Sequence, residues 1–342
     1  MIASLSLPMV IVLFTAAGLT IAVLGVRMTE LADRLGDRTG LGEALVGGVL
    51  LGLATSLSGV VVSITAALDG RASLAFSNAV GGIAAQTAFL ALADLLFHRV
   101  NMEHAAAEIA SMVQAALLSL LLAVALLAVT GPDAAVLGVH PASVVLVAVY
   151  ILGTRTTAQV RKSPMWHPKQ TRETRTDTPD ESPATRGGIA PLLAQFLGLA
   201  VVLGGAGWLI SKTGGQLSDM LGVSETAVGV LLTAVTTSLP ELITTLAAVR
   251  RGALQLALGG IIGGNTFDVL FLSASDVAYR EGSLYHAVGL ADLFWLVIGL
   301  AMTAVLLLGL VVRERKGIAG IGFESVGILA LYALGIGVQM VR

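Results

Sequence analysis

Residues Thr236–Thr245 read TTSLPELITT, and residues Ala54–Leu57 read ATSL. Sliding the chain by 182 positions lays Ala54-Thr55-Ser56-Leu57 on Thr236-Thr237-Ser238-Leu239. The same shift lays Gly81-Gly82 on Gly263-Gly264, Phe89 on Phe271 and Asp94 on Asp276, with no gap. The chain therefore carries an internal repeat. Thr236–Thr245 also contains an anomaly. It lies in an apolar run from Thr226 to Val249 whose only charge is Glu241, and that glutamate directly follows the helix breaker Pro240.

The composition identifies the medium. The 342 residues are 56% hydrophobic and 12% charged, and the mean hydropathy is +0.89. Soluble domains average about 25% charged residues, so this chain cannot clothe a water-facing surface. It reads as an all-α polytopic membrane protein. The absence of cysteine excludes disulfides, thiol catalysis and thiolate metal sites. A net charge of −2 gives no reason to expect nucleic acid as a partner.

A membrane-spanning helix needs about 20 apolar residues. Ten runs qualify, near 7–26, 44–68, 72–93, 109–132, 134–154, 187–211, 226–249, 252–275, 287–312 and 317–341. The first lacks a basic start and is a full span long, so it reads as a helix and not a cleaved signal. Between the fifth and sixth lies 155–186, a polar segment with four prolines. It reads as a loop without regular structure. The organisation expected is a five-helix repeat over 1–154, the loop over 155–186, and a second five-helix repeat over 187–342. An odd number of crossings per repeat inverts the second copy, an arrangement that places a transporter's site at midplane between broken helices.

Charge gives the orientation. Assigning the loops alternately puts sixteen of the twenty Lys and Arg residues on one side, among them the seven of 155–186, Arg99, Arg250, Arg251 and Lys316. Basic residues accumulate on the cytoplasmic side. The expectation is a multi-pass protein of the cell membrane, with the central loop cytoplasmic and both termini outside.

The residues around Glu241 suggest a cation. Pro240 removes one backbone donor and frees the carbonyl of Thr236. Hydroxyls at Thr237 and Ser238 and the Glu241 carboxylate add oxygen ligands. Thr237 and Glu241 are four apart and share a helix face. The next run presents Asp268 within Gly263-Gly264-Asn265-Thr266-Phe267-Asp268. Hard cations take oxygen ligands. An intramembrane acid can instead be protonated or paired with a base, but no Lys or Arg falls inside the ten runs. A charge at midplane costs at least about 2.5–3.5 kcal/mol, so two such acids read as a site. Asp292 and Glu324 lie near run ends and read as interface pairs, Glu324 with Arg315 or Lys316. His104 and His286, also 182 apart, read as interfacial.

TTSLPE followed by GGNTFDVLF resembles the cation/calcium exchanger superfamily, whose sodium/calcium exchangers carry G-T-S-L-P-E and G-S-N-x-x-D/N in two inverted repeats. The resemblance covers nearly the whole chain. It implies Glu241 and Asp268 as acidic cation ligands, Ala234 and Thr237 as backbone-carbonyl ligands, and Ser238 as a hydroxyl ligand. The family's serine in G-S-N is Gly264 here. In the first half, Thr55-Ser56-Leu57-Ser58-Gly59 keeps two hydroxyls but lacks the proline and glutamate, and Gln86 stands where the second motif has its acid or amide. Thr55, Ser56 and Gln86 complete the expected ligand set.

The function expected is secondary active antiport, sodium against calcium, by a monomer that uses no cofactor. A divalent cation/proton exchanger and a non-transporting sensor are the alternatives. No Ser/His or His/Glu constellation or cofactor motif points to an enzyme.

Overall fold

The computed structural model describes residues 5–39, 47–97, 101–106, 108–172, 174, 189–315, 317 and 322–341. Arg99, Lys316, Arg342 and positions 175–188, which entered the charge reading, lie outside the described residues. The long helices are α1 (Leu7–Thr39), α2 (Gly47–Leu68), α3 (Ala72–Phe97), α4 (Ile109–Thr130), α5 (Pro141–Lys162) and α6 (Ile189–Leu221). They continue as α7 (Glu225–Thr237), α8 (Leu239–Arg251), α9 (Leu254–Ala278), α10 (Leu290–Val312) and α11 (Phe323–Val341). Among the described residues there is no sheet, only an isolated bridge between Val136 and Val139.

Eight of these helices are individually long and apolar enough to cross a membrane, and α7 with α8 forms a ninth, bent span. The remaining run corresponds to α2. All ten runs therefore coincide with helices, while nine meet the full spanning criterion among the described residues. Three helices run well past their apolar runs, and α6 reaches Leu221 where the run ends near 211. α1 continues to Thr39, so its 33 residues reach about 50 Å, well beyond the roughly 30 Å hydrocarbon core. α5 continues to Lys162, eight residues into the 155–186 segment. Its last turn holds Arg161 and Lys162, cations that suit a helix C-terminus.

α3 is the axis of the bundle. From Leu74 to Ala91 every residue is buried, and the main core packs around it, including Phe76, Leu90, Trp295 and Tyr285. α1 and α6 form a second apolar cluster through Ile21, Met28, Phe196, Leu203 and Ile210. This pair meets the central helices through glycines. A Cβ on Gly25 would collide with the Pro240 ring, and one on Gly207 would lie 2.6 Å from the Ser58 carbonyl oxygen. Gly25 and Gly207 are 182 apart, as are Ser58 and Pro240, so the two contacts are the same contact made twice.

The repeat recurs in the turns and polar contacts. Gly70 ends the α2–α3 turn at φ 75° and Gly252 the α8–α9 turn at φ 82°, a conformation that glycine adopts without strain. Asp94 accepts from Met102 N at 2.8 Å and Ser325 Oγ at 2.8 Å. Asp276 accepts from Leu284 N at 2.9 Å and Ser143 Oγ at 2.7 Å. His104 Nδ1 meets the Arg313 carbonyl and His286 Nε2 the Gly131 carbonyl. Every member of these pairs moves by 182; the backbone contacts stay within a half, and the serine and histidine contacts join the two. His104 also reaches Thr171 Oγ1 at 3.0 Å, which docks the central segment onto the bundle.

Asp292 and Glu324 depart from the expected interface pairing. Asp292 is buried and takes hydrogen bonds from Ser73, Thr226 and the Gly289 N–H. Glu324 is fully buried, with Oε1 held by Asn101 and the Glu103 carboxyl beside it. Neutral donors from neighbouring helices reach both acids, which helix-end position in the sequence does not reveal.

Glu103 sits in the one-turn helix Met102–Ala105 and is buried beside Asp94 and Glu324. Burial, reinforced by these two acids, holds its carboxyl well above the usual carboxylate range. The fold thus favours the protonated acid. Its contribution is complete below the ordinary range and is lost as pH rises through the elevated value, by about 1.4 kcal/mol per unit of separation. Glu103→Gln keeps the shape and removes the titration. Thermal stability in detergent is expected to weaken with rising pH in the parent and much less in the variant; identical pH slopes would reject this account.

Candidate functional site

α7 and α8 are two pieces of one span, bent by 48°. The break is at Ser238, whose φ and ψ of −93° and 5° leave the helical region. Pro240 stands in the first turn of α8, where its missing N–H has no helical partner to lose. Upstream, Val228–Thr233 is wound as a π-helix, a widened turn that often marks a functional segment. On α9, regular winding lapses at Val269, directly after Asp268. The two acids therefore lie where two helices are interrupted, between α2 and α3 of the other half.

A cavity of about 10 Å³, room for roughly one water-sized particle, lies at this junction. Ser56, Gln86, Thr237, Ser238, Glu241 and Asp268 line it, which brings together six of the eight residues named from sequence. Thr55 and Ala234 lie outside the lining. Thr55 Oγ1 donates to the Gly52 carbonyl at 3.1 Å. The Ala234 carbonyl accepts from Ser238 N and from Thr237 Oγ1.

The polar network crosses the halves symmetrically. Ser56 Oγ donates to Asp268 Oδ1 at 2.5 Å, and Gln86 Nε2 donates to Ser238 Oγ at 3.2 Å. Ser56 corresponds to Ser238 and Gln86 to Asp268, so these are one contact in two copies. Gln86 Nε2 also donates to Asp268 Oδ2 at 2.7 Å, closing the network on its own axis. Asp268 thus has both oxygens satisfied.

Glu241 does not. It is 5% exposed, and among the described residues neither carboxylate oxygen has a partner at full hydrogen-bond geometry, the Thr55 hydroxyl standing nearby. Gln86 Oε1 is also buried and unpartnered. Three orphaned acceptors around a buried cavity are unusual, because buried polar atoms are nearly always paired. The missing partner is a hydrogen-bond donor or a cation. A hard cation fits the chemistry of this all-oxygen set, and a proton on Glu241 would satisfy part of it.

Gly59, Asn78, Gly82 and Phe271 also line the cavity and were not among the ligands named from sequence. Asn78 donates to Ser63 Oγ and the Gly59 carbonyl and accepts from Thr233 Oγ1, tying α2, α3 and α7 together. An asparagine in the middle of a third span was the available signal. It has no counterpart in the other half, where position 260 is glycine, so the repeat could not point to it. Gly264, which replaces the family's serine, lies close to the amide: a Cβ there would stand 3.3 Å from Gln86 Oε1.

The family model for the sodium/calcium exchanger protein matches residues 9–156 and 191–341. A stretch of 95 residues is 36% identical to the sodium/calcium exchanger MaX1 of Methanosarcina acetivorans, covering 27% of each chain. Another of 100 residues is 31% identical to the inner membrane protein YrbG of Escherichia coli, covering 29% of this chain and 31% of that one. The chain thus matches under a third of the length of these curated relatives. In overall structure it is similar to the H+/Ca2+ exchanger CAX, with a TM-score of 0.69 at 13% identity over 97% of this chain and 82% of that one. It is also similar to the sodium-calcium exchanger NCX_Mj, at 0.62 and 20% identity over 96% of this chain and 99% of that one. At these identities the structural likeness establishes the fold.

Proposed function

We propose that this chain, which belongs to the sodium/calcium exchanger protein family and is a transporter and not an enzyme, exchanges Ca²⁺ for Na⁺ by secondary active antiport. The observation that carries the reading is Glu241, buried and, among the described residues, with neither oxygen hydrogen-bonded, beside Asp268 in one small cavity. Glu241 and Asp268 supply the charge, and Ser56, Gln86, Thr237 and Ser238 supply neutral oxygens. The Ala234 carbonyl stands behind this shell on the broken span, and Thr55 stands on α2 beside the Glu241 carboxylate. The two five-helix repeats, 1–154 and 187–342, would then share one site between them.

Reconstituted liposomes test it. Ca²⁺ uptake is expected to follow an outward Na⁺ gradient and to collapse when that gradient is removed. Uptake that follows a pH gradient at constant Na⁺ would make H⁺ the counter-ion. No uptake under either gradient would reject antiport.

The charge bias favours a cytoplasmic 155–186 segment. Met165, in that segment, is 96% exposed, and the chain has no native cysteine. Met165→Cys is expected to resist a membrane-impermeant maleimide in intact cells and to react at once after permeabilisation. Rapid labelling of intact cells would reverse the orientation.

A further inference from the structure

Repeat symmetry pairs Glu241 with Gly59, so the site has an acid on one side and no side chain on the other. The empty position is filled from across the junction. An ideal Cβ on Gly59 would lie 2.8 Å from Phe271 Cε2, 3.3 Å from Phe271 Cζ and 3.7 Å from Thr237 Oγ1. The first of these is closer than real Cβ atoms come, so the ring occupies the path a longer side chain at 59 would take. Phe271 is 4% exposed. Its ring meets Phe267 edge-on at 6.3 Å, and Phe267 meets Tyr150 edge-on at 6.0 Å. This row of aromatics backs the ring. Gly59 and Phe271 both line the cavity.

We propose that Phe271 is a selectivity residue. Its ring fills the subsite that a first-repeat carboxylate at position 59 would need, and so keeps the first repeat from placing a third negative charge, and the monovalent cation it would hold, at that position. The proposal rests on the cavity being the transport site. With the ring in place, all the negative charge comes from Glu241 and Asp268. Two carboxylates neutralise one divalent cation or two monovalent ones, and a further cation in a low-dielectric site would be uncompensated. With the ring gone and an acid at 59, three carboxylates would surround the cavity, one from the first repeat and two from the second.

The experiment has a packing arm and a counting arm. In the first, thermal midpoints in detergent are compared for Gly59→Ala and for Gly59→Ala with Phe271→Leu. The single variant is expected to fall by several degrees and the pair to recover a large part of the loss. A Gly59→Ala protein as stable as the parent would overturn the steric claim, and this arm needs no transport at all. In the second, Na⁺ inhibition of ⁴⁵Ca²⁺ uptake is titrated in proteoliposomes. The parent is expected to show a Hill coefficient of about two, set by its two carboxylates. Gly59→Glu alone is expected to be destabilised and transport-deficient. Gly59→Glu with Phe271→Ala is expected to regain uptake with a coefficient near three. A stable Gly59→Glu single variant with a coefficient near three, or a double variant that stays at two, would overturn the proposal. A parent without uptake would instead sink the antiport reading, and the packing arm would still decide whether the ring holds that space.

Discussion

Glu241→Gln is expected to abolish measurable cation exchange while leaving the protein folded, and Asp268→Asn to do the same at a greater cost in stability. The asymmetry follows from the hydrogen bonds. Among the described residues neither Glu241 oxygen is hydrogen-bonded, so replacing the charge with an amide removes a buried, uncompensated anion and can stabilise the empty protein. Its amide also brings two donors to a cavity in which Gln86 Oε1 has none. Asp268 is different, because Ser56 donates to one oxygen and Gln86 to the other. An asparagine there exchanges two charge-assisted hydrogen bonds for neutral ones, its oxygen facing Gln86 Nε2 and its N–H₂ facing the Ser56 hydroxyl as acceptor, at about 1 kcal/mol. The transport effect is large in both. Two unit charges 4 Å apart interact by about 4 kcal/mol at an effective dielectric constant of 20. Even for a monovalent ion, that corresponds to a loss on the order of 10³-fold in affinity. ⁴⁵Ca²⁺ uptake and thermal unfolding of the same preparations make the test. Near-parental transport by either neutral variant would show that the cavity is not the transport site.

The features that were legible in the sequence are those that periodicity and repetition encode. The 182-residue shift identified two halves. The structure adds that contacts such as Ser56 to Asp268 and Gln86 to Ser238 are copies of one another. The isolated Glu241 and its proline indicated a break, and α7 and α8 are bent there. What stayed hidden depends on packing between helices distant in sequence. Phe271 reads as one more apolar residue, and only the fold brings its ring against Gly59. Asp292 and Glu324 lie near helix ends, where solvent and bases are the ordinary expectation. Neighbouring helices instead cover them and bring hydroxyls and an amide. The extensions of α1, α5 and α6 beyond the apolar runs were illegible for another reason. Hydropathy marks where lipid would end, and a helix can continue into water beyond that point.

Exchange by the parent protein is expected to be indifferent to membrane potential, and Gln86→Glu is expected to make it respond. The first half of the statement is charge counting. Glu241 and Asp268 are the acids that line the cavity, so two Na⁺ or one Ca²⁺ leaves the loaded site neutral in both directions of travel. Restoring an acid at position 59 alone cannot test the count, even with Ser58→Pro to supply a helix break, because the Phe271 ring stands 2.8 Å from that Cβ. Position 86 can, because glutamate has the shape of glutamine. Gln86 Nε2 donates to Asp268 Oδ2 at 2.7 Å, so the substitution sets carboxylate against carboxylate. Such a pair must share a proton or take up another cation. When the third negative charge recruits a third Na⁺ against one Ca²⁺, each cycle moves one net charge. One charge across 100 mV is worth about 2.3 kcal/mol, which is roughly a fifty-fold change in the equilibrium Ca²⁺ gradient. With potential set by valinomycin and K⁺, the parent gradient is expected to stay put and the variant gradient to move by about that factor. If the shared proton wins instead, the variant becomes dependent on pH and stays indifferent to potential, which still requires a third acid at the site. A parent gradient that follows the imposed potential would mean that neutral oxygens such as those of Gln86, Ser56 and Thr237 hold an extra cation by themselves, and the two-carboxylate count would be wrong.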